Sequence, residues 1–249
     1  MLLEGKIALI TGASSGIGKA IAHCFAAEGC NLAINGRNEW RLREVSEQIK
    51  RNGRRSLILK GNVAVFDEVQ RLGKKAIETY GRIDILVNNA GMSQPRTIME
   101  ISEMEWDLTI SVNLKSAFNW CKAILPTMLS NGYGKIINIS SVIAKCGAGI
   151  VSKATYATSK AGLLGLTRGL AKEAAPTVRV NAICPGAVDT PMAESITRGG
   201  KAEEVKSSIP LGRFGVPGDV AKVALFLASD GSDYITGEII DVNGGSFID

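Results

Sequence analysis

The amino-acid sequence predicts an α/β fold in which a parallel sheet is covered by helices on both faces. Three observations carry this. Short β-branched runs alternate with longer amphipathic stretches from one end of the 249 residues to the other, the pattern of repeated strand–helix–strand units. The stretches between runs are long enough for the right-handed crossovers that parallel strands require. No Pro/Ser-rich linker, low-complexity tract or internal repeat marks a boundary, so a single domain over 1–249 is expected.

Taken in order, the first strand lies at 7–11, Ile7-Ala-Leu-Ile-Thr11, followed by a glycine turn and a helix over 16–28. A second strand at 31–35 leads into a charged helix over 39–52, and a third at 56–60 into a helix over 66–80. The fourth strand, 83–88, precedes the longest helical pattern, 102–130; the fifth, 135–140, is followed across a loop by a helix over 154–175. A strand at 178–184, a helix over 217–229 and a strand at 238–242 complete a seven-stranded sheet. Between 186 and 216 the chain is rich in Gly, Pro, Ser and charge. That is long for a passive connection, and a mobile substrate flap near 187–216 is expected.

Apolar residues at 45% and charged residues at 21% exclude a disordered chain. No apolar run approaches the roughly 18 residues that span a bilayer, and the start Met1-Leu-Leu-Glu-Gly-Lys6 lacks the basic and apolar regions of a secretory signal. A cytoplasmic location without a membrane partner is expected. Cys24, Cys30, Cys121, Cys146 and Cys184 are scattered, form no C-x-x-C pair and share the chain with a single histidine. Neither a disulfide scaffold nor a metal site is expected. The net charge of +5 is local, because residues 37–55 hold seven Lys/Arg against three Glu. It reads as one charged helix region rather than a nucleic-acid surface, which needs basic residues along a whole face.

After the first strand the chain reads Gly12-Ala-Ser-Ser-Gly16-Ile-Gly18 and enters a helix. Glycines keep such a turn tight and let backbone approach a pyrophosphate, whose charge the free N–H groups and dipole of the helix N-terminus stabilise. The second strand ends Asn35-Gly36-Arg37, where NAD-binding folds usually place a carboxylate for the ribose 2′-OH. A guanidinium here suits a 2′-phosphate, so NADP(H) is the expected cofactor. The helix over 154–175 opens Tyr156-Ala-Thr-Ser-Lys160. A spacing of four places phenol and ammonium on one face, and a cation beside the phenol is expected to lower its pKa toward the working pH.

Thr11-Gly-Ala-Ser-Ser-Gly-Ile-Gly18, Asn88-Asn-Ala-Gly91, Asn113, Ser141, Tyr156-x-x-x-Lys160 and Pro185-Gly186, in this order, resemble the short-chain dehydrogenase/reductase family across essentially the whole chain. The C-terminal Gly212-Arg-Phe-Gly, Phe226-Leu-Ala-Ser and Val242-Asn-Gly-Gly245 bring it nearest to the 3-oxoacyl-acyl-carrier-protein reductases. The resemblance implies a doubly wound Rossmann fold with strand order 3-2-1-4-5-6-7. It implies Tyr156 as the acid that protonates a carbonyl oxygen while hydride arrives from a nicotinamide, and Tyr156 and Lys160 as cofactor-binding residues, Lys160 holding the nicotinamide ribose. Ser141 would hydrogen-bond the substrate oxygen, and Asn113 would position a water linking Lys160 to solvent. Gly12, Ser14, Ser15, Gly16, Ile17 and Gly18 would cradle the pyrophosphate and Arg37 the 2′-phosphate. Asn62, Val63, Asn89, Ala90 and Gly91 would follow the adenosine, and Pro185, Gly186, Val188 and Thr190 the nicotinamide. A homotetramer assembled through the helices 102–130 and 154–175 is implied as well.

Two departures stand out. Ser141 precedes Tyr156 by 15 residues, about two more than the family usually has, so Ser140 is the alternative hydroxyl. Asn62 stands where the family usually has Asp, and an amide brings both a donor and an acceptor.

His23 reads as a packing residue and the thiols as small hydrophobes, with Cys146 alone placed in the substrate-side loop. Arg96, Lys145, Lys153 and Arg198 fall on segments rimming the pocket; an anionic substrate or ordinary solvated loop charges would account for them. Carrier-protein reductases usually place arginines at positions that are Gly132 and Thr177 here, which weakens the carrier reading. A free sugar, polyol or keto acid is therefore the alternative substrate. A dinucleotide-binding regulator without catalysis is a further alternative, but its expected mark is loss of Tyr156 or Lys160, and both are present.

Overall fold

A strand buried on both faces needs apolar side chains at nearly every position rather than at alternate ones, and the central runs such as Ile7-Ala-Leu-Ile10 and Ile85-Leu-Val87 supply them. The computed structural model describes residues 1–149, 152–194 and 200–248. Its strands are β1 (Ile7–Ile10), β2 (Asn31–Gly36), β3 (Ser56–Lys60), β4 (Ile85–Asn88), β5 (Gly134–Ile139), β6 (Val178–Pro185) and β7 (Ile239–Val242). They form one sheet in the order β3-β2-β1-β4-β5-β6-β7, every neighbouring pair parallel. Fold class and strand order are those expected from the sequence.

Alternate residues feed two cores. Ala8, Ile10, Leu32, Ile34, Ile85, Val87, Ile137 and Ile139 face one layer, with Phe25 of α1 (Gly16–Ala27), Ile49 of α2 (Glu39–Arg51) and Val220 of α9 (Pro217–Ala228). Ile7, Leu9, Ala33, Leu86, Ile136 and Val180 face the other. There they meet Leu72 of α3 (Phe66–Tyr80), Trp120 of α5 (Ser116–Ser130) and Ala171 of α7 (Ala154–Glu173). Each large aliphatic side chain so buried contributes about 1.5–3 kcal/mol. A buried polar chain crosses the second layer. Asn88 Nδ2 donates to Asn138 Oδ1 at 2.9 Å, and Asn138 Nδ2 to Thr167 Oγ1 at 2.9 Å, which ties β4, β5 and α7 into one register.

The basic stretch folds as the expected solvated helix face. Asn38 caps α2 by accepting from Arg41 N at 3.0 Å, and the pairs Arg43–Glu39 and Lys50–Glu47 span one turn each. Such exposed pairs contribute little to stability.

Three segments carry more structure than the sequence pattern reveals. The helix expected over 102–130 runs unbroken from Glu103 to Ser130, as α4 (Glu103–Ile110) and α5 continuous through a π-helical turn at Ser111–Lys115. Apolar periodicity reads straight through one wide turn, so sequence pattern alone did not reveal it. The loop after β5 holds a short helix, α6 (Ile143–Cys146), with Cys146 exposed at its end. The segment expected as a flap contains a 3₁₀ turn at Pro191–Ala193, the helix α8 (Ala202–Ser207), and a bridge of Val188 to Gly215. The part of that expectation covering 195–199 lies outside the described residues.

Candidate active site

In this strand order the chain leaves β1 toward β2 on one side and returns to β4 on the other, so a crevice opens beyond the carboxyl ends of β1 and β4. Its floor is the turn after β1. Gly12 has φ of +64°, and a Cβ added there would lie 2.9 Å from Ala90 Cα; at Gly18 it would lie 2.4 Å from Gly12 O. Only glycine fits either place. Thr11 Oγ1 accepts from Asn89 N and Ala90 N at 2.9 Å each, and Asn89 Nδ2 donates to Thr11 O at 2.9 Å. Thus Asn89, Ala90 and Gly91 are knitted to the turn.

Above it, α1 begins after Ser15 without a side-chain cap and without an acidic residue in its first turn. Uncapped N–H groups with no competing carboxylate suit an anion. Ser14 Oγ rests against Gly36, 3.5 Å from the place a Cβ would take. Arg37 follows at the exposed end of β2 with no ion pair to a described residue. Across the crevice, β6 runs through Pro185 to Gly186, where a Cβ would meet Asn243 Cα at 2.9 Å, and Thr190 comes to within 3.3 Å of the place a Cβ would take at Gly16. Val188 is buried. Asn62 Oδ1 accepts from Ala64 N at 3.1 Å, which leaves its amide N–H₂ as the group free to contact a ligand, and Val63 is buried beside it. These residues fit a dinucleotide.

At the far end of the crevice α7 brings up the phenol and the ammonium. Tyr156 and Ser141 are each 8% exposed and Lys160 4%. The Ser141 hydroxyl faces the Tyr156 phenol closely enough to oppose the effect of burial on it. Ser140 is turned the other way, its Oγ donating to Lys160 O at 2.9 Å, so of the two candidate hydroxyls only Ser141's stands beside Tyr156. Lys160 Nζ donates to Ile139 O at 2.8 Å and stands 3.4 Å from the place a Cβ would take at Gly91. Asn113, in the π-helical turn, has its side chain committed. It accepts from Met92 N at 2.8 Å and donates to Met92 O and to Ser159 Oγ, both at 3.0 Å. Ser159, absent from the sequence reading, in turn donates to Tyr156 O at 2.7 Å. A polar residue next to Lys160 on the buried side of α7 was the available signal. So Asn113, Ser141, Tyr156 and Lys160 do come together.

A family profile described as "Enoyl-(Acyl carrier protein) reductase" matches residues 12–246. The 3-oxoacyl-[acyl-carrier-protein] reductase FabG of Thermotoga maritima is 42% identical over 250 residues, covering 100% of both chains. The protein of that name from Staphylococcus aureus strain Mu50 is 42% identical over 246 residues, covering 98% of both. A crystal structure of a short-chain type dehydrogenase/reductase from Mycobacterium marinum superposes with a TM-score of 0.94 at 33% identity, covering 99% of this chain and 97% of that one. The chain belongs to the short-chain dehydrogenase/reductase family. As a short-chain dehydrogenase/reductase it is an oxidoreductase, and the crevice is where its chemistry is to be sought.

One expectation about this short-chain dehydrogenase/reductase is overturned. The Tyr156 phenol is not lowered by its neighbour: burial raises its pKa, with Ser141 pulling the other way. Burial also presses Lys160 down to about 8. Desolvation governs both groups, because both are buried and neither contributes to the other's shift.

The lysine shift has a sign that can be measured. Below about 8 the folded state carries the full cost of the buried ammonium. Between there and an ordinary lysine value of about 10.4, the unfolded chain holds a proton that the folded one has released, so stability rises with pH. Lys160→Met is expected to be about 1–3 kcal/mol more stable than the parent at pH 7 and to lose this rise. Denaturant unfolding at several pH values checks it, and equal pH dependence in parent and variant would refute the buried charge.

The rim cations also find partners. Arg96 Nε lies 3.3 Å from Glu105 Oε1, Lys145 Nζ 2.6 Å from Asp241 Oδ2, and Lys153 Nζ donates to Gly149 O at 3.3 Å. Arg198 lies outside the described residues. His23 is half-buried, with desolvation lowering its pKa, and Cys30, Cys121 and Cys184 are buried. Among the described residues no cluster of His, Cys, Asp and Glu forms a metal site, and no helix is long and apolar enough to cross a membrane.

Proposed function

We propose that this chain is an NADP(H)-dependent reductase that interconverts a carbonyl and a secondary alcohol, with a 3-oxoacyl thioester on acyl carrier protein as its first substrate class. The observation that carries the reading is that the Ser141 hydroxyl and the Tyr156 phenol face each other, both buried, with the buried Lys160 on the same helix face as Tyr156. Two hydroxyls so placed can bond one oxygen between them when substrate enters. A reacting C=O bond presents that oxygen, and carbonyl reduction is the chemistry in the names of the relatives.

Each residue then has a task. Gly12, Ser14, Ser15, Gly16, Ile17 and Gly18 hold the pyrophosphate at the N-terminus of α1, and Arg37 pairs with the 2′-phosphate. Asn62 and Val63 border the adenine, and Asn89, Ala90 and Gly91 the adenosine side. Pro185, Gly186, Val188 and Thr190 orient the nicotinamide ring. When bound, the dinucleotide supplies the hydride. Tyr156 protonates the carbonyl oxygen in reduction and takes the proton back in the reverse direction, while Ser141 stabilises charge developing on that oxygen. Lys160 holds the nicotinamide ribose. The Asn113 side chain keeps Met92 and Ser159 in place; any water that it positions would meet another part of the residue.

The alternative substrate is a free sugar or polyol, favoured by Gly132 and Thr177, which offer no cation to an acidic carrier. A keto acid is the further alternative, since among the described residues Lys153 meets only a backbone carbonyl and keeps its charge unpaired, whereas Arg96 and Lys145 are paired with carboxylates. Steady-state reduction of an acetoacetyl thioester is expected to exceed that of a panel of sugars, polyols and keto acids, with NADPH preferred over NADH. Turnover confined to a sugar, polyol or keto acid would replace the substrate, and turnover of none would refute the reading.

A further inference from the structure

The turn that carries Ser141 is tied mainly through its backbone. Val142 N donates to Pro185 O at 2.9 Å, Ala144 N to Ser141 O at 3.0 Å, and Ile143 N to Ser141 Oγ at 3.2 Å. These bonds lead into α6, which is four residues long, packs on α7 and sets Ala144 against Leu164, Ala182 and Cys184; so short a helix depends on such outside contacts for its shape. Its far end is anchored by a side chain. Lys145 Nζ meets Asp241 Oδ2 at 2.6 Å, with the two side chains only 11% and 20% exposed. Asp241 lies in β7, in register with Cys184 of β6. The other carboxylate oxygen, Oδ1, is buried without a partner, so the charge of Asp241 depends on the ammonium. The C-terminal tail closes over the pair. Asn243 Nδ2 donates to Phe247 O at 2.8 Å, and the Phe247 ring centre lies 5.8 Å from Lys145 Nζ.

We propose that the Lys145–Asp241 ion pair is a positioning device for the reaction, pinning α6 to β7 so that the Ser141 hydroxyl is held against the Tyr156 phenol. The proposal rests on the carbonyl-reductase reading of the site. Neither residue bonds Ser141 or Tyr156 directly, so both act through α6. The role suits a half-buried ion pair. Its attraction is stronger away from water than at the surface, and losing the ammonium leaves the Asp241 carboxylate buried with its Oδ1 already unpartnered. The neighbouring thiol reflects the same enclosure, since burial and Asp241 both raise the pKa of Cys184.

The test uses the full chain with NADPH and the best carbonyl substrate of the panel, comparing Lys145→Met, Asp241→Asn, Lys145→Arg and the reciprocal variant Lys145→Asp/Asp241→Lys. Each of the first two is expected to lower kcat by about 10- to 100-fold, the cost of a small misplacement at a reacting centre, with the KM for NADPH unchanged. Amide hydrogen exchange over residues 142–149 should quicken in the same two variants. Lys145→Arg and the reciprocal variant should recover most of the kcat and the protection, which a nonspecific loss of stability would not do. Parent-like kcat and exchange in both single variants would overturn the proposal, as would losses that neither Lys145→Arg nor the reciprocal variant restores. If Lys145→Met and Asp241→Asn fail to fold, the two charge-retaining variants decide it by the same readouts. A parent with no carbonyl turnover would refute the functional reading instead, and the exchange measurement would still decide whether the pair holds α6.

Discussion

Tyr156→Phe is expected to cut carbonyl reduction by about 10²- to 10⁴-fold, the range that a positioned proton donor contributes, while NADPH binding stays at the parent level. The substitution removes one oxygen from a buried side chain and leaves the ring to fill the same space. The other contacts assigned to the dinucleotide do not depend on that oxygen. Lys160 Nζ is held by Ile139 O, and Asn113 by Met92 and Ser159. What is lost is the proton donor that faces the Ser141 hydroxyl. Single-turnover kinetics and a fluorescence titration with NADPH separate chemistry from binding. Turnover at the parent level would eliminate Tyr156 as the acid, and a matching loss of NADPH binding would mean that the phenol supports the cofactor site rather than the chemistry.

Arg37→Ala is expected to weaken NADPH binding by about 10- to 100-fold while changing NADH binding little, since a charge-assisted hydrogen bond contributes about 1.5–3 kcal/mol and only NADPH carries the phosphate. Arg37 is exposed and has no ion pair with a described residue. Its attraction is therefore screened, and the difference between the two cofactors should shrink as salt is raised. Dissociation constants for both cofactors, in parent and variant at low and high salt, check this. An equal loss for NADPH and NADH would refute the phosphate contact.

Much of this molecule can be read from residue order, and the reason is local. Strand runs apolar at every position, such as Ile7-Ala-Leu-Ile, are explained only by a sheet buried on both faces. The glycines at 12 and 18 are explained by backbone contacts too close for any Cβ. Tyr156 and Lys160 share a helix face because four residues make about one turn. Each of these is settled within a few neighbouring residues.

The remainder depended on which groups meet across the fold. Ser140 and Ser141 are equivalent as text. Only the packing of β5 on α7 turns one hydroxyl to the backbone of Lys160 and the other to Tyr156. The π-helical turn at Ser111–Lys115 leaves the apolar pattern intact, so its role in placing Asn113 emerges only with Met92 and Ser159 in view. Lys145 reads as a loop cation until Asp241, distant in sequence, comes to 2.6 Å from it. The pKa values of Tyr156 and Lys160 followed neither their type nor their spacing, because the cost of burying a charge is a property of the enclosure. Residue order therefore decides what depends on neighbours along the chain: strand, helix, turn, and which side chains share a face. Polarity, pairing and ionisation at the site depend on surroundings assembled from β5, β6, β7 and α7 together, and no one segment carries them.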